Sequence, residues 1–137
     1  MAKLLFVNYD AFLKYFEPEN DEQEKQLRRF FEKLVSGKVK AYTTTHSLIK
    51  LVEELEATGR WTREEIVKNL HLILLTPNLK LNFRDVMEEA LKLYSEKDIS
   101  LLNAYHLVIM QRMKAEKAVT FSSDFRRQKK YDFQEAE

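Results

Sequence analysis

A chain of 137 residues, 45% hydrophobic and 12% aromatic, has the size and apolar content to enclose one core as a single domain. Lysine plus arginine (23) exceeds aspartate plus glutamate (22) by one, so no global basic field marks a nucleic-acid binder. The absence of cysteine excludes disulfides and thiolate metal centres, and no apolar run reaches the roughly 18 residues of a membrane span.

Taken in chain order, Lys3 to Asn8 is a short apolar run that reads as a strand buried on both faces. Asp10 stands where a helix N-cap is expected, ahead of Ala11 to Phe16, and Pro18 ends that turn. Asn20 or Asp21 caps a second helix whose apolar positions Leu27, Phe30, Phe31 and Leu34 follow helical spacing, with Gly37 as its stop. Val39 to Thr43 reads as the second strand, and a threonine run leads into a helix bearing Leu48, Leu51, Val52 and Leu55. Gly59 ends it, and Thr62 with Glu65 forms a capping box for a helix over Ile66 to Leu75.

Pro77 breaks that helix. A short extended piece, Lys80 to Phe83, precedes Asn82 or Arg84 as the start of a helix through Tyr94. Asp98 or Ser100 starts another helix to about Lys114, Ala118 to Phe121 reads as a strand, and Tyr131 to Phe133 as a last one. Strands separated by helical stretches imply a parallel sheet with right-handed helical crossovers. Ligands bind such sheets beyond the carboxyl ends of the strands. Asn8, the threonine run from Thr43, and Ser122 fall at such ends.

Four segments carry a resemblance. Leu5-Phe6-Val7-Asn8-Tyr9-Asp10-Ala11-Phe12-Leu13 resembles a strand ending in Asp-x-Asn ahead of a helix, with the two residue types exchanged. Thr44 to Leu55 resembles a Ser/Thr-led helix with a cleft-facing glutamate, whose position Lys50 occupies. Ile99 to His106 resembles an Asp-Ala pair near a helix start, with Asn103 for the aspartate. Ala118-Val119-Thr120-Phe121-Ser122-Ser123-Asp124-Phe125 resembles a Thr-Phe-Asp-x-Asp-Phe strand end, with Ser122 at the first acid and Asp124 matching the second. In this order and spacing the segments resemble the PIN-domain family, the fold of VapC-type toxin ribonucleases.

The resemblance implies a three-layer α/β/α domain over residues 1–137, with a central, mainly parallel sheet of four to five strands. It also implies clustered carboxylates holding Mg²⁺ or Mn²⁺ for phosphodiester hydrolysis. Asn8, Lys50, Asn103 and Ser122 stand where those acids belong, and Mg²⁺ needs anionic oxygen ligands to give up its waters. A catalytically degenerate domain is therefore expected, serving as a binding or assembly module or as a stable scaffold, with no cofactor. Lys50 is expected in the metal's place, paired with Asp10 or Asp124.

The alternative is a divergent Mg²⁺- or Mn²⁺-dependent endoribonuclease built on Asp10, Asp124, and Glu53 or Glu54, which keep the facing direction of the lost acids. A two-residue strand shift moves a side chain by roughly 6–7 Å, which weighs against it. His46, His71 and His106 lack metal-motif spacing, and a partly buried, hydrogen-bonded role is expected for His106. The basic cluster Arg126, Arg127, Lys129 and Lys130, beside Phe125 and Tyr131, is the candidate RNA contact. The resemblance further implies a homodimer and a small antitoxin-like protein as partners; Trp61 is a candidate for a self-association surface. The lack of a membrane-length apolar run or signal-peptide core makes the cytoplasm the expected location. Only two glycines and 33% charged residues, the latter above the typical share of about 25%, suit a thermophile or a designed sequence equally.

Overall fold

The computed structural model of the chain describes residues 3–126. Its contacts separate two compact units, divided between Arg84 and Asp85. The first contains β1 (Leu4–Phe6), α1 (Tyr9–Phe16), α2 (Asp21–Ser36), β2 (Lys40–Thr43), α3 (Thr45–Thr58), α4 (Arg63–Leu74) and β3 (Leu79–Leu81). The second contains α5 (Arg84–Glu96, with its first residue at the boundary), α6 (Leu101–Arg112) and α7 (Ser123–Arg126).

Local chemistry sets the helix ends of the first unit. Asn20 caps α2 by accepting from the Gln23 N–H at 2.8 Å, and Gly37 ends it in the left-handed region at φ +83°. There the Gly37 N–H donates to Leu34 O at 3.1 Å and the Lys38 N–H to Lys33 O at 2.9 Å, which satisfies carbonyls a helix end leaves open. Thr62 and Glu65 form the expected reciprocal capping box at the start of α4.

The strands are parallel in the order β1-β2-β3. Each crossover in this order moves the chain the same way across the sheet, and right-handed crossovers of that kind deposit their helices on one face. Burial agrees. Val7, Ala41, Thr43 and Leu79 are covered, whereas Leu4, Phe6, Lys40, Tyr42 and Lys80, one residue out of phase with them, are exposed. The expectation that the first strand is buried on both faces is therefore corrected, because α1 to α4 supply one layer.

In the second unit, α5 buries Val86, Met87, Ala90, Leu91 and Tyr94, and α6 buries Leu101, Ala104, Leu107 and Val108. Arg112 pairs with Asp85 at 2.6 Å and Glu89 at 2.8 Å, tying the end of α6 to the start of α5 as in an antiparallel helix pair. The parallel α/β class is borne out, with three strands among the described residues instead of four to five. The segment Ala118–Phe121 contains only one bridging residue, Val119, so it is not the strand expected; Tyr131 to Phe133 lies outside the described residues.

Candidate functional site

The carboxyl ends of the three strands gather polar groups. The Val7 N–H donates to Tyr42 O at 2.9 Å and the Thr43 hydroxyl to Val7 O at 2.8 Å, bringing the ends of β1 and β2 together. Thr44 caps α3 through the Ser47 N–H at 3.1 Å, while the Thr45 N–H donates to Asn82 Oδ1 at 3.0 Å, adding the residue just past β3. The rim expected from sequence is present in this unit, with Asn8 and the threonine run on it.

Asn8, not Asp10, is the N-cap of α1, and Asp10 lies in its first turn. The Asn8 side chain makes no cap hydrogen bond; its amide donates to Asp10 Oδ1 at 3.0 Å. Lys50 is exposed on α3, with its ammonium 3.2 Å from Glu54 Oε1, one turn on. Hydrogen bonding and charge from Glu54 raise the Lys50 pKa, with smaller contributions from Glu53 and the Tyr9 phenol. The expected pairing with Asp10 or Asp124 is thus replaced by a local one. An i,i+4 partner on the same helix is available at little conformational cost.

In the second unit, Ser100 caps α6 by accepting from the Asn103 N–H at 3.1 Å. The Asn103 amide donates to Asp124 Oδ2 at 2.9 Å and Ser122 Oγ at 3.3 Å. The Ser100 N–H also donates to Asp124 Oδ2, at 3.2 Å. Asn103 and the segment from Ser122 to Asp124, 19 to 21 positions on, therefore form one cluster with a single carboxylate in it.

A pattern connects these contacts. Three of the candidate carboxylates are each held by a residue that the motif resemblance aligns with an acid: Asp10 by Asn8, Glu54 by Lys50, Asp124 by Asn103. Among the described residues no three histidine, cysteine or acidic side chains converge as a metal site. Within the first unit the groups are an amide and an ammonium beside carboxylates, and within the second an amide and a hydroxyl around one carboxylate; neither set fits Mg²⁺ or Mn²⁺.

The remaining sequence candidates separate. His46, His71 and His106 are all exposed, so the partly buried role expected for His106 is corrected. Arg126 is the last residue of α7, and Arg127, Lys129 and Lys130 lie outside the described residues. Trp61 is half-buried: its indole N–H donates to Glu17, its ring lies 6.3 Å from that of Phe16, and Arg60 forks onto the same carboxylate at 3.2 and 2.6 Å. Bonding from Arg60, helped by Trp61 and opposed by burial, holds the Glu17 carboxyl below its usual range.

Sequence reading missed an apolar groove of about 190 Å³ between α1, α2 and α4, lined by Phe12, Tyr15, Phe16, Phe31, Val35 and Leu72 among others. Tyr15, Val35 and Leu72 remain 43%, 55% and 55% exposed there. The signal was present in the sequence: Val35 and Leu72 add a second apolar edge to helices already supplied with core residues.

No family model matches the chain. A VapC ribonuclease of Aquifex aeolicus (strain VF5) is 29% identical over 107 residues, covering 78% of this chain and 79% of the relative. Among solved structures, Mycobacterium tuberculosis VapC20, described as a sarcin–ricin loop cleaving toxin, aligns over 89% of this chain and 92% of its own at 17% identity, with a TM-score of 0.40. The family likeness rests on the sequence match and the motifs, not on that loose superposition. Four ordered motifs, a parallel α/β frame and this match agree: the chain is similar to the PIN-type VapC ribonucleases.

Proposed function

We propose that this chain is a catalytically degenerate VapC-like protein, a single PIN-like domain over residues 1–137 that binds instead of cutting. In this reading it engages RNA and a small antitoxin-like protein in the cytoplasm, pairs with a second copy, and needs no cofactor. The observation that carries it is the tethering of Asp10, Glu54 and Asp124 by Asn8, Lys50 and Asn103. A metal would compete with these donors and would need further anionic oxygens, and among the described residues no three histidine, cysteine or acidic side chains converge to supply them. The exposed apolar groove between α1, α2 and α4 supports a protein partner, since an amphipathic helix buries its apolar face in such a groove. Arg126, Arg127, Lys129 and Lys130 are the proposed phosphate contacts.

The second reading is a divergent Mg²⁺- or Mn²⁺-dependent endoribonuclease using Asp10, Asp124, Glu53 and Glu54. The ribonuclease activity in its relative's name favours it. Incubating a mixed RNA pool with the chain in Mn²⁺, with and without chelator, separates the two. A control carries Asn8→Asp, Lys50→Glu, Asn103→Asp and Ser122→Asp. We expect no cleavage by the native chain and metal-dependent cleavage by the control. Cleavage by the native chain that chelation stops, and that Asp10→Asn or Asp124→Asn abolishes, would overturn the binding reading in favour of the nuclease.

A further inference from the structure

The face of the sheet that α1 to α4 leave uncovered has its own chemistry. Along β1 it presents Leu4 and Phe6, along β2 Lys40 and Tyr42, and along β3 Lys80, all exposed. Register places Leu4 beside Lys40, Phe6 beside Tyr42, and Tyr42 beside Lys80. The Phe6 and Tyr42 rings are 5.2 Å apart and inclined at 49°, with 49% and 41% of these residues exposed. The three strands contain two lysines and no aspartate or glutamate, in a chain whose charges otherwise nearly cancel.

Two adjacent aromatic rings flanked by ammonium groups on a sheet surface suit one ligand chemistry. Unstacked bases have π-faces that lie on aromatic side chains, and the phosphates between them pair with lysines. A purely apolar partner would leave Lys40 and Lys80 buried and unpaired, which is costly. Duplex RNA hides its base faces in the stack and offers the rings nothing.

We propose that this sheet face is a single-stranded RNA platform, with Phe6 and Tyr42 stacking bases and Lys40 and Lys80 contacting the flanking phosphates. The proposal deepens the RNA-binding reading and rests on it for the choice of nucleic acid. It differs in placing the base contacts on the sheet and not on the basic segment that begins at Arg126.

The test is fluorescence anisotropy of a short labelled single-stranded RNA titrated with the full chain, compared across variants. Tyr42→Ala and Phe6→Ala should each weaken binding about tenfold, the range of one lost base stack, while Tyr42→Phe retains it. Lys40→Ala with Lys80→Ala should lower the slope of log affinity against log salt by about 0.7 per lysine. Duplex RNA should compete poorly. Far-UV circular dichroism controls for folding, and the conservative Tyr42→Phe and exposed lysine variants keep the test decisive if an alanine variant is unstable.

RNA binding that sheet-face variants leave unchanged and Arg126→Ala with Arg127→Ala abolishes would overturn the platform while sparing the general RNA reading. No RNA binding by the native chain would overturn both. A native dimer that Tyr42→Ala dissociates without changing RNA affinity would make the face a protein interface and overturn the proposal.

Discussion

Asn103 shares one amide between Asp124 and Ser122, so exchanging it for aspartate removes a donor and adds a charge beside an existing carboxylate. Like charges about 4 Å apart repel by about 4 kcal/mol at an effective dielectric of about 20, an upper bound for a half-exposed pair. Asn103→Asp should therefore lower Tm at neutral pH. Repulsion between two carboxylates favours protonation in the folded state, so the penalty is full at neutral pH, shrinks as pH falls below the raised folded pKa and is gone below the unfolded carboxylate pKa. A pH series of thermal melts should show the variant converging on the parent in acid. An equal deficit at every pH would mean that lost hydrogen bonds, not charge, dominate.

Glu17 shows the opposite sign. Its folded pKa is lowered by Arg60 and Trp61, so its contribution is present above the unfolded carboxylate pKa and is lost as pH falls through the lowered folded value. Glu17→Gln should lower Tm at neutral pH, and the gap from the parent should close on acidification. A gap that widens in acid would contradict this assignment. Neither long-range partnership was legible in the chain, since Glu17 meets Arg60 and Trp61 across 43 and 44 positions. The Lys50 expectation failed for a related reason. Glu54 lies one turn along the same helix and meets the ammonium at almost no entropic cost, an advantage no distant acid has.

At the scale of elements, signals confined to four or five residues read well. Asn20, Thr62 with Glu65, Ser100 and both glycine stops operate as their types imply. Gly37 illustrates the physics: at φ +83° a side chain is disfavoured even though an added Cβ would meet only Asn78 Nδ2 at 3.6 Å. Gly37→Ala should cost about 1 kcal/mol, the penalty of a left-handed backbone for an L-residue, measured by denaturant unfolding. A neutral result would mean that the α2 terminus rearranges without loss. Asp10 was misplaced as a cap because Asn8 and Asp10 are both good capping types two residues apart, and only the backbone turn at Asn8 distinguishes them. The segment at Ala118 to Phe121 has strand-like residues, but a strand exists only where a neighbour pairs with it.

For the whole molecule, the sequence alone determined the α/β class, the order of elements through α6, most helix ends, and the likeness to VapC ribonucleases. These follow from periodicity, capping chemistry and motif spacing, which are properties of consecutive residues. Only the tertiary structure decided that Asp10, Glu54 and Asp124 are bound by Asn8, Lys50 and Asn103. It also decided that β1 has a bare face with Phe6 beside Tyr42, and that α1, α2 and α4 enclose an apolar groove. Burial and pairing depend on which distant segments meet. An apolar triplet such as Leu4-Leu5-Phe6 reads identically whether one face or both are covered, until the crossovers place their helices.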